Sequence, residues 1–258
     1  MTIKNAHLFY FSPTNTTKKV IQSIGEGLGF NIIEHDLTFT CDSTEEFHLE
    51  KDEIAIVGVP VYGGRTPVIT RDILKRIHGN NSLAAAVVVY GNRAFEDAML
   101  ELKDILQGNG FSVMAGGAFI GEHSYTRKVA AKRPDSDDLA KAVEFGKLIA
   151  EKINTDTFTA DIAVPGNTPY KADMPKREFA PTINNECIYC RKCWSVCPVG
   201  AIDKRKPDVV QVDKCIKCYA CVKICGFNGR EIPGNPLKDV INFLETTCAE
   251  RKEPEIFI

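Results

Sequence analysis

No stretch of this 258-residue chain is long and apolar enough to read as a membrane span. Near the start only about six consecutive positions, Ala6 to Phe11, are mostly apolar, too few for the hydrophobic segment of a signal peptide. A cytoplasmic location is the expectation. Net charge is also nearly missing: 32 basic against 34 acidic residues leave a formal −2. That argues against nucleic acid or an anionic membrane surface as the main partner. No G-x-G-x-x-G follows a strand, because Gly25, Gly27 and Gly29 belong to a helix end, so a dinucleotide site of the Rossmann kind is disfavoured. The rest is ordinary: 44% apolar and 26% charged residues describe a folded protein of one large domain or two.

Ten cysteines are the unusual feature. Cys41 and Cys248 stand alone and read as inert thiols, while the other eight crowd between Cys187 and Cys225. In a reducing compartment four packed disulfides are out of place, so this density points to metal. The run Cys187-Ile-Tyr-Cys190-Arg-Lys-Cys193-Trp-Ser-Val-Cys197-Pro198 recurs as Cys215-Ile-Lys-Cys218-Tyr-Ala-Cys221-Val-Lys-Ile-Cys225-Gly226. Three cysteines at two-residue intervals wrap a loop round three corners of an iron–sulfur cubane, and the fourth is carried to a different cluster. The spacing predicts Cys187, Cys190, Cys193 and Cys225 on one 4Fe-4S cluster, and Cys215, Cys218, Cys221 and Cys197 on the other. Structural zinc is the bland alternative; it often takes histidine, and none lies between Cys187 and Cys225.

Ahead of the cysteines, apolar runs alternate with helical periodicity. Ala6 to Ser12, Asn31 to Leu37, Glu53 to Tyr62, Ser82 to Gly91 and Phe111 to Gly121 read as strands, the third and fourth apolar almost throughout, as in strands buried on both faces. Helices are expected over Asn15 to Leu28, Pro67 to Ile77, Phe95 to Gln107 and Ser136 to Asn154, with Gly27, Gly29, Gly79 and Gly108 near their ends. This pattern predicts an α/β doubly wound, five-stranded parallel sheet whose ligand site lies at the carboxyl ends of the strands. The proline-rich stretch 155–178 reads as a surface linker between a first domain at 1–154 and a second at 179–234, with a C-terminal helix and tail over 235–258.

Three loops sit at that rim. Ser12-Pro13-Thr14-Asn15-Thr16-Thr17 precedes a helix, where hydroxyls and free amides suit a phosphate, although plain N-capping explains the same residue types. Pro60-Val61-Tyr62-Gly63-Gly64 follows the third strand, and Tyr90-Gly91-Asn92-Arg93-Ala94-Phe95 the fourth. Aromatic faces and close backbone are what a flavin ring needs, so the three loops together point to FMN. The aromatics taken singly also suit a core, and Gly63-Gly64 also suits a turn.

The first loop is similar to the Thr-x-Thr-Gly-x-Thr phosphate loop of flavodoxins, with Asn15 at the usual glycine position. The cysteine repeat resembles bacterial two-cluster ferredoxins, departing at Gly226, where proline is usual. With Gly63-Gly64-Arg65-Thr66-Pro67, Tyr90-Gly91-Asn92-Arg93 and Gly121-Glu122-His123-Ser124-Tyr125, nearly the whole chain resembles the flavodoxin–ferredoxin fusion proteins of anaerobic bacteria and archaea. The resemblance implies FMN phosphate at Ser12 to Thr17, the flavin ring between the Tyr62 loop and the Tyr90-to-Phe95 loop, and clusters on the eight cysteines, in a small α+β second domain.

These readings make the chain an electron-transfer flavoprotein converting between two-electron and one-electron carriers, its partner a redox protein or a small-molecule donor or acceptor. One rival is a reductase acting on a small substrate at the flavin, with His123 as proton donor and Tyr125 or Arg65 positioning it. Another is a redox or oxygen sensor. His123 also reads as a loop histidine packed between domains. Trp194, Tyr189 and Tyr219 read as shields of the clusters from water. Residues 179–232 carry nine basic against five acidic side chains, and residues 1–178 carry 20 against 24. Each cluster would add roughly −2 and bring the second half near neutral, so these cations suit stabilisation of reduced clusters, attraction of an acidic partner or of the acidic first half, or an ordinary solvated face.

Overall fold

The computed structural model describes residues 2–258, apart from the side chain of Asn235. Its elements in order are β1 (Asn5–Tyr10), α1 (Thr16–Leu28), β2 (Asn31–Asp36), β3 (Phe47–Leu49), β4 (Glu53–Pro60), α2 (Val68–Leu74), β5 (Ile77–Gly79), β6 (Leu83–Tyr90), α3 (Ala98–Gly108), β7 (Ser112–Ile120) and α4 (Ser136–Thr155). After a long irregular passage come β8 (Thr182–Ile183), α5 (Lys192–Ser195), α6 (Ala220–Lys223), β9 (Arg230–Glu231), α7 (Gly234–Thr247) and β10 (Glu255–Phe257).

The main sheet runs β10-β7-β6-β4-β1-β2. Its five long strands are parallel, in the doubly wound flavodoxin order, as the alternating pattern predicts. Strand β6 is buried at every position and β4 at all but its ends, which is why those runs are continuously apolar. Side chains divide between two cores. Phe9, Val57 and Val88 face α2 and α3, whereas Leu8, Ile56 and Val87 face α1 and α4. Helices α1 and α4 cross closely because neither has a side chain at the crossing: a Cβ on Gly27 would lie 2.0 Å from the Val143 carbonyl, and one on Gly146 2.1 Å from that of Ile24.

The sixth strand, β10, joins the sheet edge antiparallel to β7, with Ile256 opposite Gly117. Asn92 hooks this returning tail: its amide donates to the Cys248 and Glu250 carbonyls at 2.8 and 2.7 Å, and its oxygen accepts from the Lys252 amide. Two short parallel strands, β3 and β5, add a separate ribbon, so Gly79 lies in a strand instead of the expected helix end.

The passage after α4 lies along the first half. The Asp97 carboxylate accepts from the backbone of Asn167 and Lys171, Arg71 pairs with Asp173, and Ile162 and Val164 pack on the α2/α3 core. The cysteine segment repeats in its backbone as well as its sequence. Left-handed φ values occur at Tyr189 and Lys217 (55° and 57°), at Arg191 and Tyr219 (64° and 59°), and at Gly200 and Asn228 (58° and 53°). Such conformations cost non-glycine residues about 1 kcal/mol or more. Their recurrence at matching offsets shows that both loops follow the same winding. Helix α7 then packs Leu244 and Val240 against Val129 and Tyr125 of the loop following β7.

Candidate functional site: a cleft at the strand tips and two cysteine cavities

A cleft opens at the carboxyl ends of β1, β4, β6 and β7, lined by aromatic and apolar side chains with a few polar groups among them, the make-up of small-molecule and cofactor sites. Of the rim residues singled out in the sequence, Thr14, Thr16, Thr17, Pro60, Val61, Tyr62, Gly63, Tyr90, Gly91, Arg93 and His123 line it. Backbone closeness is built in, since a Cβ on Gly91 would meet the His123 ring at 2.5 Å.

The remaining candidates do not line it. Ser12 is buried, and its hydroxyl accepts from the Lys18 amide in the first turn of α1. Asn15 takes the left-handed conformation (φ 62°) that glycine would adopt, with no side-chain cap bond. Gly64 packs under Glu96, where a Cβ would be 1.8 Å from a carboxylate oxygen. Phe95 stacks edge-on beneath Tyr90 at 5.4 Å. Asn92 is occupied by the C-terminal tail. Arg65 is tied to Glu101 by two bonds of 2.9 and 2.7 Å, so it braces the loop away from the cleft.

The helix end fits an anion. The first amides of a helix have no intrahelical acceptor, and α1 has no acidic residue in its first turn. The Thr17 hydroxyl points the same way: its oxygen is buried with no hydrogen-bond partner among the described residues. An orphaned buried hydroxyl costs about 1–3 kcal/mol, which a phosphate oxygen at that place would recover.

His123 is neutral here, its titration pushed down to about 4 by burial and by the nearby Lys223 and Arg93 charges. Its Nδ1 accepts from the Tyr125 amide at 3.1 Å, leaving the proton to Nε2. The ring meets Tyr125 edge-on at 5.2 Å, and Tyr125 meets Tyr219 at 5.0 Å. Burial beside Cys215, Cys218 and Tyr125 pushes the Tyr62 phenol well up.

The eight cysteines divide between two small cavities. Cys197, Cys215, Cys218 and Cys221 line one, and Cys187, Cys190, Cys193 and Cys225 line the other, the two sets read from the spacing. Burial raises the Cys215 and Cys218 thiols and lifts Cys221 to about 12. Arg230, 3% exposed, lines both cavities, and its charge opposes that rise at Cys193, Cys215 and Cys221. Among the described residues its Nε and Nη2 have no hydrogen-bond partner. Such orphaned buried donors, and thiols held neutral by burial, are what iron and sulfide would satisfy.

Comparison with known proteins agrees with this chemistry. A 4Fe-4S dicluster domain description matches residues 181–226. Pyruvate synthase subunit PorD of Methanocaldococcus jannaschii is 35% identical over 75 residues, 28% of this chain and 87% of that one. The chain belongs to the 4Fe-4S dicluster ferredoxin family. Thiosulfate reductase electron transfer subunit PhsB of Salmonella typhi is 41% identical over 66 residues, covering 24% of this chain and 34% of PhsB. Among solved structures, a flavodoxin from the Archaea aligns with a TM-score of 0.41 at 17% identity, over 58% of this chain and 99% of that one. The FMN-bound flavodoxin of Fusobacterium nucleatum gives 0.40 at 16% identity, over 61% and 100%. The strand order itself makes the first half flavodoxin-like, so this dicluster ferredoxin is fused behind a flavodoxin-like domain. Among the described residues no helix is long and apolar enough to cross a membrane.

The cleft also draws on residues that sequence reasoning missed. Met174 and Arg177 reach it from the passage after α4, Val240, Phe243 and Leu244 from α7, and Ile216 and Lys217 from within the second cysteine loop. No local signal marks them, because only the folded chain brings these segments to the strand tips.

Proposed function

We propose that the chain carries electrons between FMN in the strand-tip cleft and two 4Fe-4S clusters, converting between electron pairs and single electrons. One observation carries this reading: Ile216 and Lys217, set between Cys215 and Cys218, form part of the cleft wall. The cavity of Cys197, Cys215, Cys218 and Cys221 shares Ile216 with the cleft, and the cavity of Cys187, Cys190, Cys193 and Cys225 shares Arg230 with the first. The three sites therefore follow one another.

FMN would supply a centre that takes two electrons together or one at a time. The protein's part is to hold and enclose. Thr14, Thr16 and Thr17 and the α1 amides would bind the phosphate, while the Tyr62 and Tyr90 loops would flank the ring. Tyr62, Tyr125 and Tyr219 exclude water from the seam, which strengthens the electrostatics there. Neutral His123 offers only its Nε2 proton. The fusion keeps donor and acceptor within reach without diffusion. The PhsB name, an electron transfer subunit, supports a redox partner protein.

Protein purified without air should contain about eight irons and one FMN per chain. Thr17→Val should weaken FMN binding about tenfold by leaving a phosphate oxygen unpaired, and Thr17→Ser should not. Cys225→Ser should remove the cluster of the Cys187 loop while sparing that of the Cys215 loop. An iron-free preparation, or FMN binding indifferent to Thr17→Val, would overturn the assignment.

A second reading, reduction of a small substrate, has one observation in its favour. A second concavity adjoins the cleft and shares Tyr62, Tyr125, Met174 and Arg177 with it. Its lining sets Lys176, Arg177 and Lys217 against Asp173, with Lys176 paired to Asp213, so Arg177 and Lys217 are the cations that would suit an anion. Turnover of anionic electron acceptors, lost in Arg177→Ala but with FMN retained, would support it.

A further inference from the structure

The two cysteine loops have matching backbones and opposite surroundings. In the second loop Ile216 and Lys217 are half-buried and Cys218, Tyr219 and Ala220 are buried. The flavodoxin-like half does the covering: Ile216 packs on its core, and Tyr219 lies edge-on to Tyr125. In the first loop the five matching positions, Ile188 to Lys192, are all exposed. Ile188 is 58% and Tyr189 55% exposed, and Phe227 beside them is 48% exposed. Cys190, counterpart of buried Cys218, is itself an exposed residue of this face. One copy of the repeat is thus closed by a redox domain, while its twin presents an uncovered apolar centre.

Charge says what would cover it. The lining of the outer cavity carries Arg191, Lys192 and Arg230 and no carboxylate. Lys204, Arg205 and Lys206 are exposed on the segment leading to Pro207, which lines the same cavity. From 186 to 206 five cations face two carboxylates, Glu186 and Asp203. Interfaces typically place an apolar centre within a polar rim of complementary sign, and that rim sets partner choice and association rate.

We infer that the face formed by Ile188 to Lys192 and Phe227 docks a separate one-electron carrier protein whose apolar patch is rimmed by carboxylates. This rests on the electron-transfer reading above. One electron leaves the outer cluster, which is oxidised by one, and the partner's metal centre is reduced by one. No proton moves and no covalent bond is made. Two such encounters discharge each pair delivered at the cleft.

The test uses the full, cluster- and flavin-loaded chain, reduced and mixed in stopped flow with an acidic two-cluster ferredoxin or with cytochrome c, a basic carrier. Transfer to the acidic ferredoxin should slow steeply as salt is raised. It should fall at least tenfold in Lys204→Glu/Lys206→Glu, which lies outside the cavity lining, while internal flavin-to-cluster transfer and iron content stay unchanged. Ile188→Ser should also slow it, with iron content and the cluster EPR signal read alongside. Carbodiimide cross-linking to the acidic ferredoxin should map to Lys192 and Lys204. Unchanged rates in the charge-reversed variant, faster exchange with cytochrome c, or cross-links confined to the flavodoxin-like half would overturn the docking face. A stable dimer of the chain burying Ile188 would do the same. Wild-type protein without iron would instead overturn the electron-transfer reading on which it rests.

Discussion

Acid should loosen the seam between the two halves well before carboxylates begin to protonate. His123 lies in that seam beside Lys223, which reaches from the cysteine segment to Glu122 and to the Thr126 carbonyl. Its titration is lowered from 6.5 to about 4, chiefly by burial and then by the Lys223 and Arg93 charges. A group depressed in this direction binds its proton more readily in the unfolded chain. Its stabilising contribution is therefore complete above the unfolded value and is lost as pH falls toward the folded one. Between about pH 7.5 and 5 the loss comes to about 2 kcal/mol for a shift of this size. Glu122, held below its usual range by Lys223 and the Lys132 amide, gives way only at lower pH. His35, also lowered to about 4 by burial and by His7, adds its own slope, so the wild-type curve alone does not isolate His123. His123→Asn keeps an acceptor for the Tyr125 amide and removes the titration. Urea unfolding followed by circular dichroism at the two pH values should then show the variant losing about 2 kcal/mol less than wild type. Parallel pH dependences would refute the assignment of a buried neutral imidazole here.

Two other consequences are open to test. Arg230→Met should make both clusters harder to reduce, since a full positive charge favours the added electron. At an effective dielectric near 20 the loss of a unit charge lining both cavities is worth on the order of 1–2 kcal/mol per cluster. EPR-monitored redox titration reads it, and Arg230→Lys should recover part of the shift. Gly27→Ala should lower stability by about 2 kcal/mol despite alanine's better helix propensity, because its methyl collides with the Val143 carbonyl. Thermal unfolding should fall by about 4–8 °C, and an unchanged midpoint would mean that α1 and α4 can separate at no cost.

What the sequence disclosed and what it concealed divide along physical lines. The continuous apolar runs of β4 and β6 are legible because burial on both faces leaves nothing polar to interrupt them. The cysteine repeat is legible because its spacing is itself a backbone geometry, repeated in the paired left-handed residues at 189/217 and 191/219. Strands β3, β5 and β10 are three residues long, too short for a period to register, and depend on partners far along the chain. Asn92 stands where a ring-binding loop would be expected and has the right chemistry, yet its amide is spent on the tail. Position at a rim cannot distinguish a residue facing in from one facing out. Ile216 and Lys217 were hidden because the cysteines claimed their loop for another purpose.

The return of the chain to the sheet edge gives the cysteine segment two attachments. It departs through the passage pinned at Asp97 and comes back through α7 and β10, pinned at Asn92. The metal-binding module is accordingly slung like a handle, fixed at both ends to one scaffold. A protease that severs either strap leaves the other to hold the module in place, so the two halves part only when both are cut.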